Sequence, residues 1–155
     1  MNITIDTREQ VGFWTFASFN DVKTEIKKVN YGDYTLTDYP MGISIDRKKT
    51  LSELANNVKE KRFKRELENL QKYDEAYIVC EFPFSYYSTF PVGSGIPKEK
   101  WKFLRKGGLS ILRDVQNLES YYKIPFLYCN DRFEAEKLAI KLFTEYQIRK
   151  ELNVN

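Results

Sequence analysis

Histidine is absent from this 155-residue chain, which removes imidazole as a general base, as a metal ligand and as a member of any Ser-His-Asp or Cys-His arrangement. Catalysis, if there is any, must run on carboxylates, amines or a bound metal. Cysteine is scarce: Cys80 and Cys129 are the only two, and both fall inside apolar segments with no paired spacing. That pattern predicts buried reduced thiols rather than a disulfide or zinc site, and with them an intracellular address. No apolar stretch approaches ~18 residues, so no membrane-spanning helix is expected, and Met1-Asn2-Ile3-Thr4-Ile5-Asp6 carries no signal-peptide pattern. A strong excess of one charge is missing as well. The 25 Lys and Arg against 22 Asp and Glu leave only +3, too little by itself to mark a nucleic-acid partner.

What is present is an ordinary globular composition, 42% hydrophobic, and a length that suits one domain spanning residues 1–155. Ile3-Thr4-Ile5 alternates into Asp6 and predicts a first strand; Val22 to Val29 predicts a second, closed by the turn Asn30-Tyr31-Gly32-Asp33. Tyr34 to Thr37 resumes a strand, Tyr39-Pro40-Met41-Gly42 breaks it, and Ile43 to Lys48 forms another, a meander of β elements. From Thr50 the period changes: Leu51, Leu54 and Val58, then Phe63, Leu67 and Leu70, predict two helices split near Lys59 to Lys61. Ala76 to Phe82 suits a central strand buried on both faces, and Phe84 to Pro97 a loop. Gly108 to Tyr122 predicts a helix, Pro125 to Cys129 a strand, and a final helix capped by Asn130 or Asp131 runs to about Leu152. The order predicts an α/β fold, a mixed sheet flanked by helices.

The sharpest local feature is Gly32-Asp33, twelve intervening residues, and then Asp46-Arg47-Lys48. Residues i and i+2 of a strand share a face, so Asp46 and Lys48 point together while Arg47 points away. A connection of that length can bring the Asp33 carboxylate beside Asp46, giving hard oxygen ligands for a divalent cation with an ammonium at its edge. Phosphodiester hydrolysis needs those parts. Asp6-Thr7-Arg8-Glu9 adds two acids and a guanidinium, and so many carboxylates repel one another unless a cation binds them. The basic residues cluster elsewhere, in Lys59, Lys61, Arg62, Lys64 and Arg65 and in Lys98, Lys100, Lys102, Arg105 and Lys106. An acidic spot with basic flanks suits a metal-assisted enzyme acting on a polyanion. Within the second run Trp101 and Phe103 add stacking surface, which makes Pro97 to Lys106 the better candidate for DNA contact. The aromatics Phe13, Trp14 and Phe16, by contrast, are expected mostly in the core.

Ile5-Asp6-Thr7-Arg8-Glu9, Gly32-Asp33-Tyr34 and Ile45-Asp46-Arg47-Lys48 before a helix resemble the nuclease domain of the XPF and Hef family, whose signature is a D-x-R-E opening, GD and ERKxxxD. The likeness continues through Arg62-Phe63, Ala76 to Phe82 and Leu109 to Phe126. It implies a restriction-endonuclease-like core with a PD-(D/E)xK type site, using Mg²⁺ with Mn²⁺ able to substitute. The expected activity is cutting of DNA at flaps, forks or other branches. By position it makes Lys48, Asp46, Asp33, Arg47 and Arg8 catalytic residues and Asp33, Asp46, Asp6 and Glu9 metal ligands. DNA contacts are expected from Arg62, Lys64, Arg65, Lys98, Lys100, Trp101, Lys102 and Arg105. Three departures stand out. Asp46 replaces the family glutamate; Ser52 stands where an acid is expected four residues after the lysine, with Glu53 one later; and the sequence ends without a helix-hairpin-helix domain. Substrate selection is therefore expected from a partner protein, from loops, or from a homodimer built on the region of Leu109, Leu112, Leu118, Leu138, Ile140, Leu142 and Phe143. A nuclease-like module without turnover, or a Holliday-junction resolvase on the same core, are the alternative functions.

Overall fold

The computed structural model of the protein describes residues 1–9 and 12–153. Alternating side chains set its longest strand, β4 (Tyr39–Lys48), in which Ile43 and Ile45 are buried on one face and Ser44 on the other. It lies inside a mixed sheet ordered β2-β1-β3-β4-β5-β6, with β1 at Asn2–Ile5, β2 at Lys23–Ile26, β3 at Tyr34–Leu36, β5 at Glu75–Cys80 and β6 at Phe126–Tyr128. β3 runs antiparallel to both β1 and β4, whereas β2 is parallel to β1, and β5 and β6 continue parallel to β4.

The helices cover both faces. α1 (Leu51–Asn57), α2 (Lys61–Leu70) and α4 (Gly108–Tyr122) pack Leu54, Phe63, Leu67 and Val115 onto Ile78 and Cys80. On the opposite face α5 (Arg132–Asn153) lays Ala135, Ala139, Phe143 and Tyr146, at spacings of three and four, over Ile3, Ile5, Ile45 and Val79. Each fully buried side chain of that size contributes about 1.5–3 kcal/mol of transfer free energy, so the sheet is clamped from two sides. Cys80 and Cys129 are both free and buried, as expected. Among the described residues no helix is long and apolar enough to cross a membrane.

Four local expectations change. β1 and β2 are parallel rather than consecutive members of a meander, and the chain between them is held down by Trp14 and Phe16, both fully buried. β2 is short and exposed along its whole length, a lysine-bearing edge. Tyr39 to Gly42 does not break the strand. The reversal is made at Thr37 and Asp38, and Pro40 is accommodated because the register against β3 slips from Leu36↔Tyr39 to Thr35↔Ser44, leaving no ladder bond for its missing N–H. The segment Phe84 to Pro97 contains a short helix, α3 (Tyr86–Thr89), and a 3-10 turn follows at Lys98–Phe103. The helical expectations for 51–70 and 108–122 are met, and Asp131 is the cap of α5, accepting from Glu134 N at 2.8 Å. Leu118 and Phe143 are buried in this packing and Leu112, Leu138, Ile140 and Leu142 lie half-buried against it, whereas Leu109 is exposed.

Candidate active site

The Asn30–Asp33 turn is forced to use glycine. Gly32 has φ +84°, and a Cβ on it would stand 2.1 Å from Ser44 Oγ on β4. This close approach delivers Asp33 to the edge of β4, where its Oδ2 accepts from Arg47 N at 2.7 Å and its own N–H donates to Ile45 O at 2.9 Å. Strand alternation does the rest. Asp46 and Lys48 project to the α1/α2 side, and Arg47 projects to the other. Lys48 is buried, with Nζ 4.8 Å above the Phe63 ring and 3.1 Å from Asp46 Oδ2. That contact lies off hydrogen-bond direction, so Asp46 Oδ2 is a buried oxygen with no hydrogen-bond partner. Asn57 Oδ1, on the same cavity wall, is the other such atom among the described residues.

These groups share one open cavity of about 430 Å³ into which Asp6, Arg8, Glu9, Asp33, Asp46 and Lys48 all reach. They do not all converge on a point. Asp6 is buried and committed: Oδ1 accepts from Val29 N at 2.9 Å, and Oδ2 accepts from Arg8 Nε at 2.7 Å. Glu9 accepts from Tyr34 Oη and from Arg47 Nε, the latter at 2.9 Å. Of the four expected acids the structure brings Asp33 and Asp46 together beside Lys48, whereas the oxygens of Asp6 and Glu9 accept from Val29 N, Arg8, Tyr34 and Arg47. Among the described residues no three acids gather as a ready-made cation cage. The pair still suits Mg²⁺, which keeps several waters and takes one or two carboxylates, and Asp46 Oδ2, which lacks a directed hydrogen bond, is an oxygen such an ion could use.

The charges of the site show the same strain. Burial, and then the neighbouring Asp46 and Glu9 carboxylates, push the Asp33 carboxyl well above the ordinary range, while Arg47 N pulls the other way. Burial works against the Lys48 ammonium, yet Asp46, Glu53 and Asp33 outweigh it and hold it above the usual lysine value. Glu66, on α2 at the edge of the cavity, is raised by partial desolvation and by Asp46.

Arg47 serves a different assembly. Its guanidinium donates to Glu9 at 2.9 Å and to Glu81 at 3.2 Å. Trp14 closes the circuit from both ends, Nε1 donating to Glu81 at 2.6 Å and backbone N to Tyr34 Oη at 2.9 Å. Trp14 also stacks on Tyr34 with ring centroids 4.6 Å apart. Arg47 and Arg8, expected among the catalytic groups, each hold a carboxylate, and Arg8 alone of the two is exposed.

Three cavity-lining residues escaped the sequence reading. Glu66 lies three residues beyond Phe63 and four before Leu70, at the margin of the buried stripe of α2, where helical register alone could have placed it. Glu53, noted only as standing one residue late, accepts from Lys49 N at 2.8 Å while Thr50 Oγ1 accepts from Glu53 N, so it is tied into the start of α1. Asn57, one turn beyond Glu53 on the same side, carried no sequence signal. Of the expected DNA contacts only Arg62 lines this cavity, paired with Glu60 and Glu66. Lys64, Arg65, Lys98, Lys100, Lys102 and Arg105 are exposed away from it, and Trp101 is half-buried with Nε1 donating to Ile96 O at 2.9 Å.

A mixed sheet with its acid-and-lysine strand in the middle and helices on both faces defines the restriction-endonuclease-like class of nuclease folds. Within that class the chain belongs to the ERCC4 domain family, whose pattern matches residues 5–139, and its fold is that of the XPF nuclease domain. Two solved structures illustrate the likeness. XPF from Aeropyrum pernix superposes with a TM-score of 0.63 at 18% identity. The same organism's XPF in complex with DNA gives 0.62 at 18%. In both cases 97% of this chain is covered, but it spans only 65% of the length of those chains. No curated protein matches it in sequence.

Proposed function

We propose that this protein is a Mg²⁺-dependent endodeoxyribonuclease that hydrolyses phosphodiester bonds at branched or single-strand/double-strand junction DNA. The observation that carries the reading is a buried Asp46 oxygen that lacks a directed hydrogen bond, 3.1 Å from the charged Lys48 and beside a repelling Asp33 carboxyl, all opening to one cavity. Asp33 and Asp46 would hold the ion, and Mn²⁺ would replace Mg²⁺ on the same oxygens. Bound there, the ion lowers the pKa of a water and neutralises charge on the scissile phosphate. Lys48, held protonated, is a poor proton acceptor; its part is to orient the attacking water and to meet the negative charge that builds on the phosphorane. Glu66, across the cavity with a raised pKa, is the better placed proton acceptor. The basic residues on α2 and the Lys98 to Arg105 segment supply phosphate contacts.

A second copy of the chain, or a partner protein, would then set substrate choice. Exposed Leu109 and Tyr121 on α4 and Ile148 and Leu152 on α5 leave apolar surface for it. The test is a cleavage panel of flap, fork, four-way-junction and linear duplex DNAs with Mg²⁺, Mn²⁺ and EDTA. Cleavage of flap or fork DNA in either metal and none in EDTA is the expected result. Strong preference for the four-way junction would make it a resolvase, and no cleavage of any substrate in either metal would leave a DNA-binding module without turnover.

A further inference from the structure

α1 separates two cavities. Glu53 and Asn57 face the acidic one described above, while Ser52, Ala55 and Asn56 form the wall of a second, of about 330 Å³. The second cavity differs in kind. Its other surfaces are Phe90, Phe103, Leu104 and Ile111, its rim carries Lys59, Arg105 and Lys106, and no acidic side chain lines it. Lys106 is paired with Asp114 at 2.9 Å, but Lys59 and Arg105 make no ion pair with any described residue. The aromatic wall is unusually bare: Phe103 is 72% exposed, with Lys102 Nζ 5.2 Å over its ring. It ends the 3-10 turn in which Trp101 Nε1 donates to Ile96 O at 2.9 Å.

A flat apolar slot rimmed by cations and free of acids complements a ring system that carries an anion. A slot of this volume falls at the small end of the range for small-molecule sites, about 300–1,000 Å³, and takes one base rather than a duplex. The two cavities lie on opposite sides of α1, so a strand seated in one passes close to the other. We infer that this cavity binds an unpaired nucleotide of the DNA strand, its base stacked on Phe103 and its phosphate on Lys59 and Arg105. A base seated there holds the strand close to the acidic cavity, and only a single-stranded stretch can supply it. The slot therefore reads the unpaired arm of a junction. This rests on the reading of the chain as a DNA-cutting enzyme, but not on its turnover.

Binding without cleavage tests it. Fluorescence anisotropy in EDTA compares labelled single-stranded oligothymidylate with a duplex of equal length, using the full chain. Phe103→Ala is expected to weaken single-strand binding about tenfold, the loss of one stacked base, and to change duplex binding less than about twofold. Phe103→Trp should restore the single-strand affinity. Arg105→Ala should lower the salt slope for the single strand by about 0.7, one phosphate contact. Phe103 is exposed, so Phe103→Ala leaves the fold intact, which circular dichroism checks. Unchanged single-strand affinity in Phe103→Ala overturns the inference, as does an equal loss on both DNAs. So does self-association that depends on Phe103 in sedimentation, which would make the slot a contact with a second copy. A chain that fails to cleave yet binds single strands through Phe103 would refute the enzyme and keep the slot; one that cleaves while Phe103→Ala binds normally would do the reverse.

Discussion

The two faces of one short strand differ more than any two domains need to. On one side of β4, Arg47 sits in a closed ring with Glu9, Glu81, Trp14 and Tyr34, where both carboxylates have charged partners and both tryptophan N–H groups have acceptors. On the other side, one residue away in each direction, Asp46 has an oxygen with no hydrogen bond and Lys48 sits buried among acids. The same charge types at the same depth give a satisfied network on one face and an unsatisfied one on the other. Burial of charge is costly unless the geometry repays it, so the first face reads as scaffold and the second as a place left ready for something the protein binds. A scaffold network should be felt in stability and an unsatisfied one in activity.

The largest expected effect is on the unsatisfied face. Asp46→Ala is expected to reduce Mg²⁺-dependent cleavage at least about a thousandfold, the loss expected when a group that stabilises transition-state charge is removed. Its Tm should fall as well, because Lys48 loses its 3.1 Å ion-pair partner, but by less than that of Arg47→Met, since Glu53 and Asp33 still face the ammonium. Cleavage rates and melting curves on the same samples decide this, and activity near wild type would remove the site assignment. On the satisfied face the pattern inverts. Arg47→Met strands two buried carboxylates and is expected to cost about 3–5 kcal/mol, a fall in Tm of roughly 6–20 °C for a domain of this size. Below that lowered Tm its cleavage should stay within about tenfold of wild type. A Tm within 2–4 °C, about 1 kcal/mol, would dissolve the contrast between the faces.

Strand period explains why this contrast was partly legible in the sequence. Alternation alone placed Asp46 and Lys48 on one side and Arg47 on the other, the apolar spacing marked α1, α2 and α4, and the Asn130-Asp131 cap marked α5. Alternation cannot say what lies opposite each face. The partners of Arg47 are Glu9 and Glu81, brought in by the loop after β1 and by the end of β5, so its role was expected from the family likeness rather than from its own neighbours. Asp6 and Glu9 looked like ligands for the same reason. Their oxygens are already taken by groups, Val29 N and Tyr34 Oη among them, that only the folded chain supplies. Glu66 was missed because an acid beside a buried helical stripe is the commonest thing on a protein surface. The parallel pairing of β2 was missed because nothing in four exposed residues encodes direction.

A smaller effect tests whether the ring on the scaffold face is one unit. Trp14→Phe keeps the stacking on Tyr34 and the backbone donor but deletes the Nε1 bond to Glu81. A hydrogen bond to a charged group is worth about 1.5–3 kcal/mol, and Arg47 still partners Glu81, so the lower end is expected, a fall in Tm of roughly 3–6 °C. If the double variant with Arg47→Met loses less than the sum of the two singles, the ring is coupled; strict additivity would mean that Trp14 and Arg47 act separately.

The smallest effect has the opposite sign and sharpens the comparison most. The folded-state pKa of Asp33 is raised, first by burial and then by Asp46. Its contribution to stability is therefore fully present below the unfolded pKa of about 3.9 and is lost as pH rises through the folded value. Above that window the metal-free protein carries a pair of repelling carboxylates that Asp33→Asn relieves, because the amide can still accept from Arg47 N. Without metal, Asp33→Asn should melt a few degrees above wild type at pH 8, and the gap should close as the pH falls and Asp33 regains its proton. Millimolar Mg²⁺ should raise the Tm of wild type and leave Asp33→Asn unmoved, reversing the order, because only the carboxylate pair gains by binding the ion. A variant less stable than wild type at pH 8 without metal would mean that the Asp33 charge is already paid back by the backbone, and that this face, like the other, is built to hold the fold.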